Sequence, residues 1–278
     1  MKLTRAQYDA SSRTNWSTLK LMGKSPAHYK ERLDHPPGPD SDAMAKGRIV
    51  HLAALEPEKL GDVAIWEEGV RRGRAWDAFR ADNRGKELVT RATYDEALAI
   101  GAAARRAPMA VKYLNDGEAE VSMQWTHKVS AWLGNDGYSI DCKGRVDFVA
   151  NCGALVDLKT TRDAAPQAFA RQCFNLEYHC QAAFYVDGYA AEHGKTLPFV
   201  VVAVETTRPY VVQVYEVPEE LLELGRERYR TLLDTLNHCR THNEWAGYGT
   251  TAMPLTLPAW ATPKEDEAAE NLGVDFGD

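Results

Sequence analysis

The sequence predicts an α/β (α+β) fold: about five β-strands flanked by helices, with a helical extension ahead of them. Three observations carry that expectation. Helical spacing of apolar residues dominates up to Tyr113, the period switches to two after Asp116-Gly117, and long helical stretches then interrupt and close the strand region. A chain of 278 residues with 44% hydrophobic content can bury a sizeable core.

Taken in order, Ser12 to Leu33 reads as helical through Trp16, Leu19, Lys20, Tyr29 and Leu33, broken at Ser25-Pro26, a good start for a second helix. "HPPGPDSD", His35 to Asp42, is a loop, and Ala43 to Pro57 is helical again until Pro57 ends it. A mixed, arginine-rich segment follows, then an alanine-rich helix from Tyr94 to Tyr113. Glu120, Ser122 and Gln124 alternate with Val121, Met123 and Trp125, the mark of a half-buried strand near 119 to 130. The turn signal Asn135-Asp136-Gly137 leads to strands near 138 to 150 and 154 to 160. A helix near 166 to 192 comes next, followed by strands Phe199 to Thr206 and Tyr210 to Val217, joined by Thr207-Arg208-Pro209. A helix from Pro218 to about His242 closes the body. Residues 1 to 261 read as a single domain with a helical N-terminal part, and residues 262 to 278 as an acidic, disordered tail.

Charge restricts the partners less than the total suggests. The net charge is -7, yet six acidic residues and no basic one lie from Glu265 onward, so the body carries 33 basic against 34 acidic residues. A local basic face is compatible with that balance. In "RRGRAWDAFRADNRGK", Arg71, Arg72, Arg74, Arg80, Arg84 and Lys86 outnumber Asp77 and Asp82, giving either a phosphate-contacting surface or a plain charged helix face. Trp66 and Trp76 nearby have the chemistry to stack on an unpaired base. The five cysteines are odd in number and form no Cys-x-x-Cys pair, which points to reduced thiols and away from a disulfide framework or a zinc ribbon. The first residues lack a secretory apolar stretch, and the longest apolar run, FVVVAV, is too short to span a bilayer. A cytoplasmic location without a membrane partner is therefore expected. "HGKT", His193 to Thr196, fails as a nucleotide-binding loop, because the leading glycine would fall at Tyr189 and the segment follows a helix. Activity independent of ATP is expected.

The stretch "VDFVANCGALVDLKTT", residues 146 to 161, places charge inside an apolar hairpin. With Asn151-Cys152-Gly153 as a three-residue loop, Asp147 falls opposite Asp157 and Arg145 opposite Lys159, while Asp157 and Lys159 share a face. Directly opposed Cβ atoms are roughly 5 Å apart, where like charges destabilise. Either the register differs by one and the charges meet solvent, or something offsets the repulsion. The apolar flanks Val146, Phe148, Leu155, Val156 and Leu158 argue for covered strands. A divalent cation between the carboxylates, magnesium or manganese, resolves the conflict.

Asp147 at the end of one strand and Asp157-Leu158-Lys159 on the next resemble the signature of the PD-(D/E)XK nuclease superfamily. Around them, "KSPAHYK" (Lys24 to Lys30), "GRIVH" ending in His51, "GRVDFV", "VDLKTT" and "YHCQAAFYVDGY" (Tyr178 to Tyr189) occur in the order found in RecE-type exonucleases. Those exodeoxyribonuclease VIII-like enzymes are similar to the RecB nuclease domain, and the resemblance covers roughly residues 12 to 217. It implies a restriction-endonuclease-like core with a central mixed sheet. It also implies a Mg2+-dependent exodeoxyribonuclease, with Mn2+ as a substitute, that resects linear double-stranded DNA from the 5′ end. The remaining 3′ single strand would serve recombination by strand annealing. A ring-shaped homo-oligomer, trimer or tetramer, and a single-strand annealing protein as partner are further implications.

The resemblance also assigns roles. A Gly-x-x-x-His motif, here Gly47 and His51, supplies a metal ligand, although a lone helical histidine is otherwise more often structural. Asp147, Asp157 and the Leu158 carbonyl would bind the metal, while Lys159 would orient or deprotonate the attacking water and stabilise the charge on the phosphate. Glu120 is either a further carboxylate of the site or a solvated surface acid. Gln181 and Tyr185 match a Gln-x-x-x-Tyr pattern that touches DNA or supports the metal shell, while Phe174 and Tyr189, on the same stripe as Tyr178, read as core. Two other readings remain. An iron-sulfur nuclease with the same core needs four flanking cysteines, whereas all five here lie from Cys142 onward. An inactive DNA-binding module would gain stability by replacing the opposed aspartates.

Overall fold

The computed structural model describes residues 3–36, 38, 41–130 and 137–256. Asn135 and Asp136 of the turn signal, Pro37, Pro39 and Asp40 of the proline loop, and the acidic tail lie outside the described residues.

The N-terminal part is built from short, well-capped helices. Thr4 and Gln7 form a capping box on α1 (Arg5–Ala10), Asn15 caps α2 (Trp16–Leu19), and a 3-10 turn over Lys20–Gly23 follows. Ser25 caps α3 (Pro26–Asp34), whose first residue is the proline that the sequence marked. Ser41 starts α4 (Asp42–Leu55), and Pro57 opens a 3-10 turn over Pro57–Asp62. The mixed segment holds β1 (Val63–Trp66), α5 (Gly73–Asp82) and β2 (Glu87–Thr90), with β1 and β2 paired as a small parallel sheet. The alanine-rich stretch is two helices, α6 (Arg91–Arg106) and α7 (Pro108–Leu114), because Pro108 has no N–H to continue the first.

The main sheet contains β3 (Gly117–Val129), β4 (Tyr138–Ala150), β5 (Ala154–Thr161), β6 (Phe199–Glu205) and β7 (Val212–Val217), in that spatial order. Only β5 and β6 are parallel; the other neighbours run antiparallel, so the sheet is mixed. The β5-to-β6 crossover is not one helix but two, α8 (Pro166–Asn175) and α9 (Tyr178–His193), broken where Glu177 takes a left-handed φ of 56°. α10 (Glu219–His242) closes the body.

Each face of the sheet carries its own core. Phe199, Val201 and Ala203 pack with Trp16, Leu19, Phe184 and Leu233 on one face. Val200, Val202 and Val204 pack with Ile49, Ile100 and Leu114 on the other. This strict alternation in β6 reflects a strand buried on both sides. In β4 the alternation fails at one place: Val146 joins the first core and Phe148 the second. The residue between them is Asp147. On the neighbouring strand Glu120 is skipped by the β3–β4 ladder and adopts φ 54°, a left-handed conformation that a glutamate rarely takes. Backbone strain therefore sits where the candidate ligands lie.

Candidate metal and catalytic site

The hairpin register is the one expected: Phe148 pairs with Val156, Val149 with Leu155 and Ala150 with Ala154. The ladder stops at Phe148, and Asp147 uses the opening to accept a hydrogen bond from the Leu158 N–H at 2.9 Å. Arg145 turns away from Lys159 and reaches across to β3, where its Nε lies 2.6 Å from Glu120 Oε2.

α4 brings His51 to this point. It can do so because α6 presents Gly101 to it: a Cβ on Gly101 would lie 2.6 Å from the Ala53 Cβ and 3.2 Å from the Ala53 backbone. His51 Nδ1 is 3.6 Å from Asp147 Oδ2. One turn earlier, a Cβ on Gly47 would meet nothing within 4 Å, so the surface ahead of His51 is open. His51, Glu120 and Asp147 each offer a donor atom, and the three atoms lie within 4.8 Å of one another.

Beside this cluster stands a second group. Lys159 Nζ lies 2.7 Å from Asp157 Oδ2 and donates to Gln181 Oε1 at 3.0 Å, while Gln181 Nε2 donates to Asp157 Oδ1 at 3.1 Å. The Tyr178 ring supports the ammonium at 4.7 Å. Asp157 is almost wholly buried, and its Oδ2, despite the nearby ammonium, accepts no well-directed hydrogen bond. Gly144 lets Tyr185 lie directly on β4, since a Cβ there would be 3.2 Å from the ring.

The charges carry the cost of this crowding. Burial first, and then the Asp157 carboxylate, push the Asp147 acid above the usual carboxylate range. Burial also raises Glu120, against the pull of the Arg145 guanidinium. Burial alone would lower Lys159, but Asp157 and Asp147 outweigh it and hold its ammonium above the ordinary lysine value. Burial pushes the Tyr185 phenol up as well. Two carboxylates and one imidazole whose donor atoms lie within 4.8 Å of one another, with both acids raised by burial, are a donor set that fits a divalent cation.

The structure thus brings together His51, Glu120, Asp147, Asp157, Lys159, Gln181 and Tyr185, with the Leu158 N–H on Asp147. Phe174 is not core. It is 74% exposed and stacks on His179, since the break at Glu177 turns the end of α8 outward. Tyr189 packs against the first core as expected. Trp66 is buried against Trp76 and Phe79, so it offers no face to a base. Arg71 is tied to Asp42, whereas Arg72, Arg74, Arg80 and Arg84 are exposed on and around α5. Sequence reasoning missed the Arg145–Glu120 pair and the Tyr178 support. The only available signal was the Gly144-Arg145 step ahead of Asp147, where the glycine makes room for Tyr185.

Residues 15–253 match the family model of a PDDEXK-like domain of unknown function, DUF3799. The chain belongs to that PDDEXK-like family. No curated protein matches it by sequence. Among solved structures it is similar to a "Putative exonuclease" from Eubacterium rectale, at 18% identity and a TM-score of 0.61 over 92% of this chain and 97% of that one. The structure of SSO0001 also aligns, at 16% identity and a TM-score of 0.30, over 78% of this chain and 84% of that one. The mixed five-stranded sheet flanked by helices, with helices ahead of it, is thus a PDDEXK-like fold, as the resemblance implied.

Proposed function

We propose that this PDDEXK-like chain is a metal-dependent, ATP-independent exodeoxyribonuclease that degrades linear double-stranded DNA from the 5′ end and leaves a 3′ strand for annealing. The observation that carries this reading is the meeting of two groups on opposite sides of one strand opening: His51, Glu120 and Asp147 on one side, Asp157, Lys159 and Gln181 on the other. His51, Glu120 and Asp147, with Asp157 and the Leu158 carbonyl, would hold Mg2+ or Mn2+, which when bound lowers the pKa of water and polarises a phosphate oxygen.

The chain's own residues supply the rest. Lys159 is kept protonated by its acidic neighbours, which suits it to hydrogen-bonding the attacking water and stabilising charge on the phosphate, and not to removing a proton. Gln181 fixes Lys159 and Asp157 in one orientation, and Tyr185 beneath them excludes water. Water adds to phosphorus, the bond to the leaving 3′ oxygen breaks, and the two protons of the water end on that oxygen and in solvent. Arg72, Arg74, Arg80 and Arg84, with Arg71 behind its ion pair, would contact phosphates outside the site. A ring of three or four copies and a single-strand annealing protein complete the proposal. Among the described residues no helix is long and apolar enough to cross a membrane.

The test is digestion of end-labelled linear duplex and closed circular DNA, with magnesium and with chelator. Loss of the linear duplex from its 5′ end in magnesium alone is expected. Cleavage of the closed circle, or digestion in chelator, overturns the reading. Degradation from the 3′ end removes the polarity, and a monomer by light scattering removes the ring.

A further inference from the structure

At the C-terminal end of β5, just past Lys159, lies a cleft of about 670 Å³. Its wall sets Arg162, Arg171, Thr160, Thr206 and Asn175 beside apolar surface from Leu176 and Tyr178, and contains no carboxylate. Arg162 and Arg171 are exposed and have no ion-pair partner among the described residues. The nearby acids are already engaged: Asp163 Oδ1 accepts from the Ala165 N–H at 2.8 Å, and Glu205 Oε1 from the Ala164 N–H at 3.0 Å. One wall is shared with the catalytic group. Tyr178 lines the cleft and carries the Lys159 ammonium on its ring, and Gln172 ties the Tyr178 hydroxyl, at 3.5 Å, to Thr161 Oγ1, at 2.8 Å.

Two unpaired guanidiniums beside neutral hydrogen-bond donors, on a floor continuous with Lys159, make a receptor for an oxyanion. We infer that this cleft is a phosphate subsite: Arg162 and Arg171 grip a phosphate of the substrate strand next to the scissile one, and so set where the chain is cut. The inference rests on the nuclease reading and adds to it a site away from the metal ligands and from α5. The phosphate is either an internal diester or a terminal monoester, which present the same oxygens to the arginines.

The experiment measures binding of labelled duplex DNA by fluorescence anisotropy in chelator, over a series of salt concentrations. It compares the wild-type chain with Arg162→Gln, Arg171→Gln, the double variant and, as a control on the opposite layer, Arg106→Gln in α6. Duplexes with phosphorylated and with hydroxyl 5′ ends are used. Each cleft substitution should reduce the slope of log affinity against log salt by roughly one, and the control should not. Equal loss on both kinds of end identifies a diester, and loss confined to phosphorylated ends identifies a terminal monoester; either supports the subsite. Cleft variants with the wild-type slope and affinity, in a chain that cleaves DNA in magnesium, overturn the subsite alone. A wild-type chain that neither binds nor cleaves DNA overturns the nuclease reading and the subsite with it.

Discussion

Replacing Asp147 by asparagine should stabilise the metal-free protein while abolishing its response to metal. Asp147 is only 18% exposed and faces the negative charge of Asp157, which helps push its acid upward. Like charges across an antiparallel pair, roughly 5 Å apart, repel by about 3 kcal/mol at an effective dielectric near 20. Lys159 and His51 offset part of that. Asparagine removes the charge and keeps an oxygen for the Leu158 N–H, so a net gain of about 1 kcal/mol is expected, or about 2–4 °C for a chain of this size. In the wild-type chain, metal at about 100 times its Kd should add about 2.7 kcal/mol. The two melting curves should therefore cross: the variant melts higher in chelator, the wild type higher in manganese. A variant that melts lower in chelator would show that the carboxylates do not repel, and the reasoning fails. Asp157 is the wrong position for this test. It clamps Lys159 and Gln181, and removing a partner from a buried ion pair costs about 3–5 kcal/mol.

Other substitutions separate the roles. Lys159→Ala should abolish cleavage and leave duplex binding in chelator within about twofold, because its charge acts on the reacting phosphate; normal turnover would remove it from the mechanism. Gly47→Ala should stabilise α4 by about 0.5–1 kcal/mol while lowering cleavage, because the new methyl occupies open space one turn ahead of His51. Full activity in that variant would mean the substrate does not use that space. Arg145→Gln frees Glu120 and should weaken manganese binding about 10- to 100-fold by calorimetry, the usual effect of losing a partner that orients a ligand; unchanged affinity would leave Glu120 outside the site.

The hairpin was legible because its signals are local. Gly153 takes the φ of 88° that closes the loop, and the alternation on β4 and β5 then leaves one register that buries their apolar residues. The strand bounds follow for the same reason. What escaped depends on tertiary contact. β1 and β2 have four residues each, too few for a period to emerge, and pair in parallel across the intervening α5. The break between α8 and α9 falls at Leu176-Glu177, where neither glycine nor proline announces it, so the helical stripe reads Phe174 as core although it is exposed. The split at Pro108 has a local signal, a proline without an N–H, but the alanines of α6 just ahead of it make the stretch read as one continuous helix. In the site, Asp147, Asp157, Lys159 and His51 came from motif order. Glu120 stayed ambiguous because its left-handed backbone and its pairing with Arg145 are properties of two strands together.

The most direct measurement is a crystal soaked in manganese, with anomalous scattering recorded at the manganese edge. A peak bonded by His51, Glu120 and Asp147 and adjoining Asp157 is expected. An empty opening between these side chains, or a peak elsewhere on the protein, would contradict the account.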